Sequence, residues 1–203
     1  MKIKKLQLYF VMEGLKRYDF LTQEECDTIV NKILSLEDAV KRLGPDIYSG
    51  TSGDSLTGRF DIFNYLNVPE INTILEPKLK KLLGPCVVQC WANIFRQGEG
   101  IEGHTHSGFK PHFDRHGLSG NIFLYGDPTI GTYYNFPQLS TLSVKYDNKV
   151  GELVLFRPTL FHGVYKNTTD DMRISMAIDV HVGDEFFLNT LVSEMPERYY
   201  YMR

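Results

Sequence analysis

Four of the six histidines of this chain fall within thirteen residues, in the runs His104-Thr105-His106 and His112-Phe113-Asp114-Arg115-His116. On an extended strand residues i and i+2 share a face, so His104/His106 form one candidate pair of metal ligands and His112/Asp114 another. A further histidine, His162, stands about fifty residues downstream and can complete either set. Two close ligands, one distant histidine and positions left for water or substrate describe a mononuclear non-heme iron site, usually with one carboxylate among the ligands. Zinc accepts the same donors. A His-x-His by itself is more often a surface pair; this one gains weight from His162 and from the arginine beyond it.

That arginine is Arg173, eleven residues after His162, and it opens the alternating run Arg173-Ile174-Ser175-Met176-Ala177-Ile178-Asp179-Val180. Period-two alternation puts Ile174, Met176, Ile178 and Val180 on one face of a strand, and Arg173, Ser175, Ala177 and Asp179 on the other. A guanidinium binds a carboxylate in bidentate fashion, and a hydroxyl two residues on adds a bond on the same face. The plainer alternative is a half-exposed edge strand with a surface arginine.

The elements that must hold these residues can be read from the pattern around them. The sequence has 203 residues, 42% hydrophobic and 23% charged, which suits one globular domain over 1–203. A net charge of -3 argues against a general nucleic-acid binder. The three cysteines, Cys26, Cys86 and Cys90, are too few and too unevenly placed for a disulfide framework. No signal peptide or membrane span is legible, so a soluble, cytoplasmic protein is expected. Residues 1–85 read as an N-terminal strand (3–12) and supporting helices. Thr22 and Glu25 form a capping box ahead of a helix over 22–42. A second helical stretch covers 69–83 and is expected to be interrupted by Pro77. Residues 46–58 read as a loop, and Gly58–Ile62 as a short strand. From Cys86 the texture changes to short β-prone runs between turn residues: 86–95, 118–125, 133–136, 142–146, 151–156, 162–165 and 173–182. The last twenty residues, 184–203, read as a terminal helix or docking tail.

These motifs together resemble the Fe(II)/2-oxoglutarate-dependent dioxygenases, in the prolyl-hydroxylase-like group and its small bacterial and phage-type branch. The resemblance runs over residues 86–182, with the helix after Leu21 similar to the family's lead-in helix. It rests on Cys90-Trp91-Ala92-Asn93, Gly98-Glu99-Gly100, His104-Thr105-His106 and Leu118-Ser119-Gly120-Asn121. It continues through Gly151-Glu152-Leu153-Val154-Leu155-Phe156-Arg157-Pro158, His162 and Arg173-Ile174-Ser175. It implies a mainly β fold with N-terminal helices: a double-stranded β-helix, or cupin-like jelly roll, over 86–183. It further implies His162 as the last iron ligand, and Arg173 and Ser175 as the holders of the far carboxylate of 2-oxoglutarate. The first two ligands stay open. Spacing after Trp91 favours His104 and His106; spacing to the Ser119-Gly120 strand, and carboxylate chemistry, favour His112 and Asp114. Strand phase adds Asn121, Phe123 and Tyr133 or Tyr134 as pocket residues, with Tyr134 and Asn121 assigned to the co-substrate, and Trp91 and Asn93 on the strand leading to the metal. His116 and His181 read as non-ligands, with His181 at the pocket or its rim.

The function implied is an oxygenase that hydroxylates a C–H bond of a small-molecule or peptidyl substrate, with succinate and CO2 as co-products and no catalytic residue beyond the metal ligands. Two rivals remain: a cupin-like metalloprotein that does not use 2-oxoglutarate, and a non-catalytic β-barrel binding module. No membrane or nucleic-acid partner is expected, and a homo-oligomer is left open.

Overall fold

The computed structural model describes residues 14–44, 56–107, 113, 116–136 and 143–203. The expected strand over 3–12, most of the loop before Leu56 and the His112/Asp114 pair lie outside them.

Helix α1 (Gln23–Arg42) begins where the capping box requires. The Thr22 hydroxyl accepts from the Glu25 backbone N–H at 3.3 Å, and the Glu25 carboxylate accepts from the Thr22 N–H at 2.8 Å. Its buried side, Cys26, Ile29, Val30, Ile33 and Val40, faces the core. Helix α2 (Pro69–Leu83) runs straight through Pro77, which corrects the expected interruption. Pro77 lies on the exposed side, whereas Ile71, Leu75, Leu79 and Leu83 make a fully buried stripe. A proline inside a helix costs about 3 kcal/mol. Each buried aliphatic side chain returns about 1.5–3 kcal/mol, so four outweigh it. The strand expected at Gly58–Ile62 is absent: Leu56–Arg59 is a 3₁₀ turn that continues as turn through Ile62.

The protein is mainly β, with two antiparallel sheets. Its strands are β1 (Leu15–Asp19), β2 (Cys86–Phe95), β3 (Ile101–His104), β4 (Leu118–Tyr125), β5 (Thr132–Asn135), β6 (Ser143–Tyr146), β7 (Glu152–Phe156), β8 (Phe161–Val164), β9 (Arg173–His181) and β10 (Tyr200–Met202). The larger sheet has the order β1-β7-β4-β9-β2-β10 and the smaller β3-β8-β5-β6. Strands β1 and β3 were not legible in the sequence, because Leu-Lys-Arg-Tyr-Asp and Ile-Glu-Gly-His lack an apolar period. The chain ends in helix α3 (Glu185–Glu194), followed by β10 on the edge of β2.

Strand β9 is central, paired with β2 on one side and β4 on the other, and all nine of its residues are buried. The edge-strand alternative is therefore wrong. Ile174, Met176, Ile178 and Val180 pack into the main core with α1 and α2. The opposite face, with Ser175, Ala177 and Asp179, lines a cavity. Asn167 braces the ends of these strands. Its side-chain amide donates to the carbonyls of Phe95 (3.0 Å) and Asp171 (2.6 Å), and its backbone pairs with Gly98 and Glu99 in the β2–β3 turn. Gly98 has φ +80°, a conformation side chains rarely adopt.

Candidate metal centre

Antiparallel pairing of β3 with β8 sets His104 opposite His162, so their side chains meet on one face. Their ring centroids are 4.5 Å apart. His106 follows two residues on, its backbone N–H held by the Pro158 carbonyl at 2.9 Å, and its ring lies 5.3 Å from His104 and 5.0 Å from His162. One ligating nitrogen from each of the three falls within 4.8 Å of the other two.

The hydrogen-bond partners decide which nitrogen carries the proton. His104 Nδ1 donates to the Glu102 carbonyl (2.8 Å), His162 Nδ1 to the Leu160 carbonyl (2.9 Å), and His106 Nδ1 to the Asp179 carboxylate (2.6 Å). A carbonyl or carboxylate oxygen only accepts, so each Nδ1 carries a proton and each Nε2 is the nitrogen left to face a metal. Burial and the neighbouring His106 pull the His104 pKa down to about 4, and burial followed by the other two histidines holds that of His162 well below its usual value. Both rings are neutral at pH 7, the state in which imidazole binds a metal.

The three histidines edge a cavity of about 220 Å³ between the sheets. Trp91, Phe95, Phe156 and Ile101 give it apolar walls; Asn93, Asn121, Thr132, Ser175 and Asp179 give it polar ones. Arg173 lies behind Ser175 and Thr132 and is only 1% exposed. Its Nε donates to the Ile130 carbonyl (3.1 Å), Nη1 to the Ser175 hydroxyl (3.1 Å) and Nη2 to Thr132 (3.5 Å). Three of its five N–H groups are thereby engaged. Phe123 and Phe95 flank the guanidinium, centroids 5.4 and 5.9 Å away. Among the described residues no carboxylate pairs with it. Burial lowers its pKa to about 10.

Solved structures of low sequence similarity share this architecture. A prolyl-4-hydroxylase from Pseudomonas putida is 15% identical, aligns over 91% of this chain and 100% of its own, and superposes with a TM-score of 0.57. The fold is that of the prolyl-hydroxylase-like oxygenases. A Trichoplax adhaerens prolyl hydroxylase, solved with a hypoxia-inducible-factor peptide fragment, is 15% identical over 89% of this chain and 90% of its own, TM-score 0.58. The epimerase SnoN, solved with Fe3+, alpha-ketoglutarate and nogalamycin RO, is 11% identical over 88% and 83%, TM-score 0.61. No protein-family model and no curated protein matches the sequence.

Within this prolyl-hydroxylase-like frame, the structure brings His104, His106, His162 and Ser175 to one cavity, with Arg173 at its back. Asn121 lines the cavity too. Tyr134 does not: it lines a smaller adjoining cavity that shares Asn121 and Thr132, and its ring packs with Phe156 and Leu160. Tyr133 points to the opposite face and packs against Tyr165, the ring centroids 4.8 Å apart and the rings tilted. His116 is exposed; His181 is buried between Phe113 and Tyr199. His112 and Asp114 lie outside the described residues. Three residues had no role assigned from the sequence. Thr132 carried no signal of its own, whereas Ser119 was in phase with Asn121 and Asp179 with Arg173 and Ser175, which could have found them.

Proposed function

We propose that this chain is an Fe(II)- and 2-oxoglutarate-dependent oxygenase that hydroxylates a C–H bond of a small-molecule or peptidyl substrate, yielding succinate and CO2. The observation that carries this reading is Arg173, a buried cation with no carboxylate partner among the described residues. It stands behind a cavity edged by three histidines whose Nδ1 atoms are engaged, which leaves Nε2 of each as the donor to a metal. Leaving a charge buried without a partner is costly, and a dianionic co-substrate relieves that cost. Its far carboxylate would take the two N–H groups of Arg173 not otherwise engaged, together with the Ser175 hydroxyl. Iron held by His104, His106 and His162, with 2-oxoglutarate chelated to it, would supply the oxidising chemistry. The chain's own contribution is to orient: the Nδ1 bonds fix three rings, and Trp91, Phe95 and Phe156 keep water from the reacting centre.

The sheets are read as the two halves of a double-stranded β-helix. In support, β2, β3, β4 and β5 alternate between the sheets, as do β6, β7, β8 and β9. A cytoplasmic setting accords with three buried free thiols. The all-histidine set also fits a cupin-like metalloprotein that does without 2-oxoglutarate, and one experiment separates the two. Metal-free protein is titrated anaerobically with Fe(II), then with 2-oxoglutarate, following the visible charge-transfer band of the chelated co-substrate. The band is expected in the wild type and lost in His162→Ala. Iron binding without a band supports the cupin-like reading; no iron binding overturns both.

A further inference from the structure

Taken alone, the candidate ligand set is unbalanced. Three histidines bring no negative charge, where a non-heme iron site ordinarily has a carboxylate among its ligands. A carboxylate is nevertheless present one layer out. Asp179 sits on the inward face of β9, three inward positions after Arg173, and lines the same cavity. Its Oδ1 accepts from His106 Nδ1 at 2.6 Å and from the Ser119 hydroxyl at 2.6 Å. Ser119 is its cross-strand neighbour on β4, so the sheet register fixes where the carboxylate points.

We infer that Asp179 is a positioning residue that acts through His106, orienting its ring and supplying from behind it the negative charge that no ligand supplies directly. The three histidines are not equivalent in this respect. His104 and His162 lean on backbone carbonyls, which are neutral dipoles, whereas His106 leans on an anion. An imidazole backed by a carboxylate is a more basic ligand and is held in one tautomer, and losing such a partner typically weakens metal binding 10- to 100-fold. The charges also close. On the proposed function, on which this inference rests, a divalent metal is balanced by dianionic 2-oxoglutarate, and Arg173 is left over as one positive charge. Asp179 cancels it. An asparagine could brace the same strand pair without the cost of burying a charge, so the presence of aspartate points to its charge as the useful property.

The test measures metal affinity, not turnover. Fe(II) and Co(II) affinities are determined anaerobically, by competition with a chelating dye, for wild type, Asp179→Asn, His106→Asp and the double variant, alongside melting of each metal-free protein. The expectation is that D179N binds metal 10- to 100-fold more weakly than wild type while still melting cooperatively. His106→Asp moves a carboxylate into ligand position, so D179N in that background should change affinity by less than about threefold or strengthen it. Unchanged affinity in D179N, or an equal loss in both backgrounds, overturns the inference and leaves Asp179 a strand brace. If D179N does not fold, Asp179→Ser, smaller and equally uncharged, takes its place. A wild type that binds neither metal sinks the proposed function as well; a wild type that binds, with D179N its equal, sinks only this inference.

Discussion

Replacing Arg173 by methionine separates the two things a buried arginine can do. Arg173→Met keeps most of the aliphatic volume and deletes the guanidinium. In the metal-free protein two effects oppose. Burial has brought the arginine pKa from 12.5 to about 10, and at about 1.4 kcal/mol per unit roughly 3 kcal/mol of desolvation cost disappears with the charge. Against this, the Ile130 carbonyl loses its donor, whereas the Thr132 and Ser175 hydroxyls can turn to other partners, and one buried unsatisfied group costs about 1–3 kcal/mol. The balance is a stability change within about 2 kcal/mol, or roughly 4–8 °C in melting temperature for a chain of this size. Fe(II) affinity without co-substrate should hardly move, because Arg173 touches none of the three histidines. Binding of 2-oxoglutarate should collapse. Truncating one partner of a buried charged pair costs about 3–5 kcal/mol, a loss of roughly 150- to 5,000-fold in affinity. Calorimetric titration of the iron-loaded variant with 2-oxoglutarate, beside a melt of the metal-free variant, reads both quantities. Co-substrate affinity within threefold of wild type would refute the anchoring role. A loss of more than about 4 kcal/mol in metal-free stability would show the guanidinium to be a structural brace.

Two further expectations concern protons. His104 is held near pKa 4 in the folded metal-free protein against about 6.5 when unfolded, so between those values the unfolded chain binds the extra proton. Metal-free stability should therefore fall on acidification from about pH 6.5 to 4, by up to about 1.4 kcal/mol per pH unit from this residue. Urea melts across that range check it, and a flat profile would contradict a desolvated, neutral His104. Glu37, on α1, is the converse case. Burial alone would raise its pKa, but Arg96 and Lys41, each 2.9 Å away, outweigh that and hold it below the usual carboxylate value. Its stabilisation is present above the unfolded pKa of about 4.5 and is lost as the pH falls through the lower folded value. With Arg96 half exposed, Glu37→Gln should cost only about 1 kcal/mol at pH 7, and the gap from wild type should close once the pH is below that lower folded value. A gap that persists there would mean that packing, not charge, is the cause.

Elements with a strong local period could be read from the chain alone. The Thr22/Glu25 box fixed the start of α1, and the alternation from Arg173 fixed both faces of β9. Strands β2 and β4 matched their expected bounds because each is an unbroken β-prone run between turn residues. Strands β1 and β3 were illegible because partners hold them in place: β1 is a polar run recruited by β7, and β3 is four residues completed by β8. The convergence of His104 with His162 is a matter of register between strands about fifty residues apart, which no local pattern encodes. Pro77 misled because its penalty is local while the docking of α2 is not. The alternation puts Asp179 on the correct face, but its reach to His106 depends on the loop after β3, held at the Pro158 carbonyl.

Strand β9 is read twice, once from each side. Its even positions meet the helices and its odd positions meet the cavity, with no solvent-facing side to absorb an error. A slip of one residue against β2 or β4 would drive Arg173, Ser175 and Asp179 beneath the helices and turn Ile174, Met176 and Ile178 toward the histidines. Misregistered chains would thus bury charges without partners and lose their apolar contacts together. Selection for a stable core and selection for an intact site act on this segment as a single pressure. Length changes between Arg173 and His181 should consequently be far less tolerated than substitutions that keep the alternation.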